Sequence, residues 1–218
     1  MISPNEPFYG FENLFSAGER IVAPRRTILR QQEVCDLIPL ICSGWAACSL
    51  MLPDRRRRLI LSFLLPGDIA STTIALEPVP HFSIEAVTSV HIRTVRHEDL
   101  KATLMRDTEF LERFLHYSAE QKIQADMLAI DLGYRSAEGR IARLILRLAT
   151  RLKQRGLSDG VSFDFPLRQH HIGDATGLSN VHVSKVLVEF RHAGYVEINE
   201  RSLRIKNQTE LVEIANFG

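Results

Sequence analysis

The chain has 218 residues, of which 45% are hydrophobic and 24% charged, as in an ordinary soluble globular protein. This composition excludes disorder as the main state, and a formal charge of +1 gives no overall basic signal for a nucleic-acid partner. No run approaches the roughly 18 consecutive apolar residues of a membrane helix, and the first residues lack the order of a signal peptide.

Charge is unevenly distributed along the chain. Residues 1–133 hold 14 basic and 17 acidic residues, whereas residues 134–218 hold 13 and 9 together with four histidines. An excess of positive charge in one half favours a nucleic-acid partner for that half.

The region from about residue 20 to 95 is predicted to form short β-strands. Its β-rich apolar runs are broken by Pro, Gly and Asp, with hairpin signals at Ser43-Gly44 and Pro53-Asp54. Several short strands at regular turn spacing are typical of a sandwich or a small barrel.

A long helix is predicted from Glu98 to about Leu132, where Pro and Gly are absent. Two neighbouring apolar stripes follow the helical period. The first comprises Leu111, Leu115, Ala119, Ile123, Met127 and Ile130, and the second Phe110, Phe114, Tyr117, Gln121, Leu128 and Leu132. Two stripes give the helix two surfaces to pack against. These are either two parts of one monomer, or the chain's own β-domain and the matching helix of a partner.

A second amphipathic helix begins after Gly133, the glycine that ends the first helix, and continues to Gly156. Its apolar face comprises Ile141, Leu144, Ile145, Leu148 and Leu152. The other face carries Arg140, Arg143, Arg147, Arg151, Lys153 and Arg155. We expect this basic face to be solvated, as charged helix faces usually are.

Residues 166–206 have the spacing of a helix-turn-helix. A short helix from Arg168 to Ala175 precedes a turn containing Gly177, and a second helix runs from Ser179 to His192. Ser179 is a good N-cap for the second helix. The runs YVEI and SLRI, separated by NER, then form a hairpin that corresponds to the wing of a winged helix-turn-helix.

The exposed face of the second helix supplies candidate DNA contacts. Residues near its N-terminus meet base edges in the helix-turn-helix docking mode, and we assign this role to Asn180, Val181, Ser184 and Lys185. Phosphate contacts, which fix register without reading sequence, are assigned to Arg168, Gln169, His170, Ser179, His182 and Arg201. The alternative is a three-helix core used only for protein contacts.

Nearly the whole chain resembles one family. The sequence is similar to the cyclic-AMP receptor protein / fumarate-nitrate regulator (CRP/FNR) family of bacterial transcription factors. In the N-terminal half the resemblance rests on SGWA, RRLILSFLLPGD and IEAVTSV; further on it rests on SAEGRIARLILRL, FPLRQHHIGDATGLSNVHVSKVL and LRIKNQTELVEIA.

This resemblance implies an α+β fold in three parts. They are a cyclic-nucleotide-binding-like β-roll over residues 1–105, a dimerisation helix over 106–133, and a winged helix-turn-helix over 134–218. It implies a homodimer that binds a palindromic site in double-stranded DNA, and by analogy an activator that contacts RNA polymerase. With the dimer favoured, we assign the contact with the partner helix to Phe110, Phe114, Tyr117, Gln121 and Leu128.

The sequence departs from the cyclic-nucleotide binders of this family. Their Gly-Glu pair, which holds the ribose hydroxyl, corresponds to Ser71-Thr72, and their Arg-Ser pair, which holds the phosphate, corresponds to about Pro80-His81. Without these groups the ligand would lose several charge-assisted hydrogen bonds. We therefore expect a regulator that does not depend on a cyclic nucleotide, and we assign it no cofactor and no effector.

The second helix departs as well. Many family members carry Glu, then Ser or Gly, then Arg at the positions of Val181, Ser184 and Lys185. Val181 lacks the carboxylate that accepts from cytosine, and Lys185 lacks the bidentate fork of arginine. We expect DNA binding with a half-site different from the usual one.

Three cysteines, Cys35, Cys42 and Cys48, lie close together inside the predicted strands. Four thiolates are the usual requirement of an iron–sulfur cluster, so we expect buried structural thiols in the reducing cytoplasm. No metal-site spacing and no nucleophile–base pair stands out, and the chain is not expected to be an enzyme. Two alternatives stay open: a redox- or metal-responsive regulator of this fold, and a small-molecule-binding module with a degenerate helix-turn-helix.

Overall fold

The computed structural model describes residues 11, 13–51 and 58–217, which form two compact units, one up to Ala125 and one from Asp126 onward. The division falls inside the long helix. None of the helices in the described ranges is long and apolar enough to cross a membrane.

The N-terminal unit is built on seven strands: β1 Gly18–Val22, β2 Thr27–Leu29, β3 Leu37–Ser43, β4 Ala46–Met51, β5 Arg58–Leu64, β6 Ser83–Ala86 and β7 Val90–Arg96. One antiparallel sheet has the order β1-β7-β3 and the other β2-β6-β4-β5. Their inner faces supply fully buried aliphatic side chains such as Ile38, Ile84 and Ile92. A short 3-10 helix, Thr73–Ala75, lies between β5 and β6. The expected β-roll is confirmed.

The hairpin expected at Ser43-Gly44 is wrong. Strands β3 and β4, on either side of this pair, belong to different sheets, so the turn carries the chain from one sheet to the other. Gly44 has a φ of +82°, and an added Cβ would lie 2.1 Å from the carbonyl oxygen of Ser89. The local turn signal was correct, but the connection depends on which strand β3 pairs with. The turn expected at Pro53-Asp54 lies outside the described residues, although β4 and β5 do pair.

The predicted long helix is two helices, α1 His97–Arg106 and α2 Thr108–Tyr134. Asp107, between them, is extended with φ −115° and ψ 100°. Its carboxylate accepts a hydrogen bond from the backbone N–H of Phe110 at 2.9 Å. The side chain thus satisfies an otherwise unpaired amide in the first turn of α2.

The aromatic members of the α2 stripe that was assigned to the dimer contact are buried within the chain's own core. Phe110, Phe114 and Tyr117 lie in the core of the N-terminal unit, where their rings pack around Phe11 at centroid distances of 5.3 to 6.4 Å. The other two members of that assignment are Leu128, which is buried, and Gln121, which is half-buried. The other stripe supplies four exposed apolar residues of α2: Leu115, Ile123, Met127 and Ile130.

The C-terminal unit contains α3 Ala137–Gln154, β8 Ser162–Asp164, α4 Gln169–Thr176, α5 Asn180–His192, β9 Val196–Ile198, β10 Ser202–Ile205 and α6 Gln208–Phe217. Ser136 caps α3, because its hydroxyl accepts from the N–H of Gly139 at 3.0 Å. The predicted apolar face of α3 is buried. Sequence reasoning did not predict β8 or α6.

The basic face of α3 is only partly solvated, which corrects the expectation. Arg151 is buried. Burial lowers the pKa of Arg147; the neighbouring arginines lower it further, whereas Asp131 raises it. Asp131, on α2, is only 5% exposed and pairs with Arg135 at 2.8 Å and with Arg143 at 4.0 Å. A buried carboxylate therefore offsets part of the positive charge of this row.

Candidate nucleic-acid interface

Two glycines and a serine shape the α4–α5 corner. Gly177 ends α4 with φ +69°, the left-handed conformation that glycine adopts without strain. An added Cβ on Gly173 would lie 2.7 Å from the carbonyl oxygen of Leu178, so only glycine allows this approach. The hydroxyl of Ser179 accepts from the N–H of His182 at 3.2 Å, which confirms Ser179 as the N-cap of α5.

The inner faces of α4 and α5 are apolar, as predicted. Ile172, Ala175, Val183 and Val186 are buried. The two leucines also predicted for this core, Leu178 and Leu187, are half-buried. Phe190, which was not predicted, is buried and packs edge-on against Tyr195 with ring centroids 6.0 Å apart. This packing fixes which side of α5 faces outward.

The outward side of α5 forms an open groove of about 560 Å³, which we call the reading groove. It is lined by Gln169, Asn180, Val181, Ser184, Lys185, Val188 and Glu189. All four side chains assigned to base contacts therefore lie in one depression, and Val181 is 81% exposed. Gln169, assigned to a phosphate contact, lies in this groove beside the assigned base readers.

Two further residues line the groove: Val188, which sequence reasoning missed, and Glu189, which it placed on the exposed face of this helix without assigning it a contact. Glu189 follows Val181 and Lys185 at intervals of four residues, so all three lie on one stripe of α5. That spacing was a usable signal. The ammonium nitrogen of Lys185 lies 3.9 Å from a carboxylate oxygen of Glu189.

The other five residues assigned to phosphate contacts are not among the lining residues of the groove. Arg168, His170, Ser179, His182 and Arg201 are all exposed.

His171, next to them, is buried. Its Nδ1 accepts from the backbone N–H of Arg168 at 3.1 Å and so caps the start of α4. The ring of His170 packs against it with centroids 3.9 Å apart.

The predicted wing is present and has an additional strand. Strands β9 and β10 form the expected hairpin, with Leu203 opposite Ile198, and β8 pairs with the other edge of β10. Arg201 lies in the turn of this hairpin, where its carbonyl oxygen accepts from the N–H of Phe165 at 2.7 Å. The turn is thus tied to the segment that precedes α4.

The segment that corresponds to the cyclic-nucleotide cassette carries no basic side chain other than histidine. From Pro66 to Phe82 the sequence contains neither Lys nor Arg. The hydroxyl of Ser71 lies 2.9 Å from that of Thr73, and Pro80 is buried whereas His81 is exposed. Apart from His81, this segment offers no side chain that could supply a cation to a cyclic phosphate.

Each of the three cysteines is half-buried, which corrects the expectation of buried thiols. Cys35 precedes β3, Cys42 lies in it and Cys48 lies in β4. Burial raises the pKa of the Cys48 thiol to about 12. Within the described ranges no group of three or more His, Cys, Asp or Glu side chains could hold a metal ion.

A capped helix-turn-helix, a three-stranded wing and an exposed groove at the start of α5 together define a winged helix-turn-helix protein. Comparisons with known proteins agree. Residues 139–214 match the family model of the Crp-like helix-turn-helix domain.

Over 191 residues the chain is 27% identical to a CRP-like cAMP-activated global transcriptional regulator of Mycobacterium tuberculosis, covering 87% of this chain and 84% of that protein. It is 26% identical to the transcriptional activator protein FnrA of Stutzerimonas stutzeri, over 87% of this chain and 77% of that one.

The structure of FixK2 from Bradyrhizobium japonicum superimposes with a TM-score of 0.79 over 92% of this chain and 98% of that chain, at 21% identity, which supports the α+β fold. The chain thus contains a Crp-like helix-turn-helix domain, and over most of its length it is similar to proteins named as CRP-like and FnrA transcription regulators. Its relatives by sequence are named as transcription regulators, not enzymes.

Proposed function

We propose that the chain is a homodimeric, sequence-specific DNA-binding regulator that reads a palindromic site through the reading groove. The observation that carries this proposal is the exposed N-terminal half of α5, where four side chains able to contact base edges share one groove. In this docking mode, the first residues of the second helix enter the major groove.

Three of the groove side chains have definite base partners. The carboxamide of Asn180 matches the N6 and N7 edge of adenine, the ammonium of Lys185 matches O6 and N7 of guanine, and Val181 packs on the methyl group of thymine. Ser184 accepts from or donates to several bases. The exposed basic and polar groups Arg168, His170, His182 and Arg201 are suited to phosphates.

The dimer contact is proposed along the exposed apolar stripe of α2. Leu115 and Ile123 are each 57% exposed, and Met127 and Ile130 continue the stripe. A contiguous apolar patch on a surface helix favours a protein partner. A second α2 is suitable because a two-fold contact is self-complementary and its symmetry matches a palindromic DNA site.

Cyclic-nucleotide independence is proposed from the cassette segment. The relative from Mycobacterium tuberculosis is named as cAMP-activated, but here the segment lacks Lys and Arg from Pro66 to Phe82. A buried cyclic phosphate requires charge-assisted hydrogen bonds. We assign the protein no effector.

Transcription activation is proposed by analogy with FnrA, which is named as an activator. As an activator the protein would contact RNA polymerase. It would act in the cytoplasm, where bacterial DNA lies.

The experiment is a binding-site selection from random duplex DNA with the purified full chain and no added small molecule. We expect an enriched palindrome whose half-sites lie about one helical turn apart. The same selection with added cyclic AMP should enrich the same site to the same extent. No enriched site in either selection would contradict the proposal, and enrichment only with cyclic AMP would contradict the independence.

A further inference from the structure

The reading groove contains one cation and one anion, and the two are paired. Among its lining residues only Lys185 and Glu189 are charged, and their charged groups lie 3.9 Å apart. The two side chains are 72% and 51% exposed, and exposed pairs of this kind contribute little to folding stability. The pair is therefore more important for DNA recognition than for folding, because it lies on the surface that faces DNA in the proposed function.

We propose that Glu189 is a positioning residue that directs the ammonium group of Lys185 towards the bases and thereby sets the base-pair preference of the groove. This inference rests on the proposed DNA-binding function.

The donor count of lysine fits this role. An ammonium group has three N–H donors and no acceptor. One donor directed to Glu189 leaves two, which matches the O6 and N7 acceptors on the major-groove edge of guanine. The carboxylate of Glu189 thus fixes the direction of the N–H donors of Lys185. Arginine does not need such a partner, because its planar guanidinium fork fixes the direction of its own donors.

The competing partner of Lys185 is the DNA backbone. A flexible lysine turns easily to a phosphate, which strengthens binding to every sequence alike. A carboxylate one helical turn further along α5 repels phosphates and attracts the ammonium. Glu189 therefore disfavours the non-specific contact and favours the specific one.

A direct contact between Glu189 and a base is less favoured. Glu189 is the tenth residue of a helix that begins at Asn180, and the docking mode places the N-terminal residues of the second helix at base edges. Lys185 lies between those N-terminal residues and Glu189 in the sequence of the helix.

The test measures binding to the site selected by the wild-type chain and to its single-base-pair variants, at several salt concentrations from about 50 to 200 mM. The position read by Lys185 is the one whose preference is lost in Lys185→Ala. At that position Glu189→Gln should lower discrimination by about tenfold. Affinity for all sequences should rise, and the slope of log K against log salt should steepen by about one.

Two further variants separate positioning from a general change of charge. In a Lys185→Arg background, Glu189→Gln should cost little discrimination, because the guanidinium fork is rigid by itself. Glu213→Gln, an exposed position on α6 outside the groove, removes the same charge and should leave discrimination unchanged. Circular dichroism and thermal unfolding confirm that each variant is folded.

The other possible results contradict either this inference or the proposed function. Unchanged discrimination in Glu189→Gln, when the wild-type chain selects a site, overturns this inference and leaves the proposed function intact. A loss that persists fully in the Lys185→Arg background means that Glu189 contacts a base itself, which also overturns it. If the wild-type chain selects no site, the proposed function fails and the inference fails with it.

Discussion

The hydroxyl of Tyr117, on α2, accepts a hydrogen bond from the backbone N–H of Ile69 at 3.0 Å. The same hydroxyl lies 3.3 Å from a carboxylate oxygen of Asp68, whose other oxygen accepts from the N–H of Leu65 at 2.7 Å. Tyr117 and Asp68 are almost completely buried. The turn that contains Gly67 is thus joined to the long helix inside the core of the N-terminal unit.

Tyr117→Phe should lower the free energy of unfolding by about 1–3 kcal/mol, because it leaves the buried N–H of Ile69 without this acceptor. Urea unfolding measures the effect. The control is Tyr134→Phe on the same helix, where the ring is 90% exposed and removal of the hydroxyl should change little. Equal effects of the two substitutions would show that the buried hydrogen bond is not the cause.

Ile123→Glu should convert a dimer into a monomer, since it places a charge in the exposed stripe proposed to meet a second α2. Sedimentation or light scattering gives the mass directly. Ala125→Glu is the matched control, because Ala125 is exposed on a different side of the same helix. A dimer that survives Ile123→Glu would exclude this stripe as the contact.

The stripe also shows what the sequence can and cannot decide. Both apolar rows of α2 could be predicted from helical spacing, but the choice of the row that faces the chain's own core could not. That choice depends on Phe11, about a hundred residues away, whose ring packs against Phe110, Phe114 and Tyr117. The prediction of a hairpin at Gly44 was wrong for a similar reason, because the pairing of β3 depends on a strand far away in the sequence.

The helix-turn-helix was predicted better because its signals are local. The Ser179 cap, the turn at Gly177 and the apolar spacing of α4 and α5 lie within about 25 residues, and all of them are confirmed. Strand β8 was missed because three residues that pair with β10 about 40 positions later carry little signal of their own. The arginine row was expected to be solvated, but Arg151 is buried by tertiary packing, and Asp131 on another helix pairs with Arg143.

The thiol of Cys48 should be the least reactive of the three towards iodoacetamide in the folded protein. Burial raises its pKa to about 12, so at pH 8 only about one part in ten thousand is thiolate. Mass spectrometry after limited labelling identifies the modified residues. Preferential labelling of Cys48 would contradict the expected burial effect, whereas unfolded chains should label at all three positions.

The same thiol makes stability fall at alkaline pH. The unfolded thiol releases its proton near its ordinary pKa of about 8.5, while the folded one keeps it up to about pH 12. Between these two pKa values the folded state thus binds more protons than the unfolded state. The thiol therefore contributes fully to the free energy of unfolding below the unfolded pKa, and this contribution is lost as the pH rises towards the folded pKa. Cys48→Ala should remove a slope of about 1.4 kcal/mol per pH unit. A slope that survives this substitution would assign it to other groups.

Asp131→Asn should destabilise the C-terminal unit by about 3 kcal/mol, the lower end for loss of one member of a buried ion pair. The carboxylate is 5% exposed and faces Arg135 and Arg143. Thermal or urea unfolding gives the change. Glu197→Gln, which breaks the exposed pair with Lys206, is the control and should have an effect below about 1 kcal/mol.

Val181→Glu should change the selected half-site at a single base pair. Val181 is 81% exposed in the reading groove, and its apolar side chain favours a thymine methyl group, whereas a carboxylate accepts from the N4 amino group of cytosine. Binding-site selection with the variant shows the change directly, and we expect cytosine to replace thymine while the rest of the half-site is kept. Val212→Glu adds the same charge on α6, outside the groove, and should leave the selected site unaltered. If Val181→Glu selects the wild-type site, residue 181 does not contact a base, and the proposed docking of α5 must be turned to bring another face of the helix to the bases.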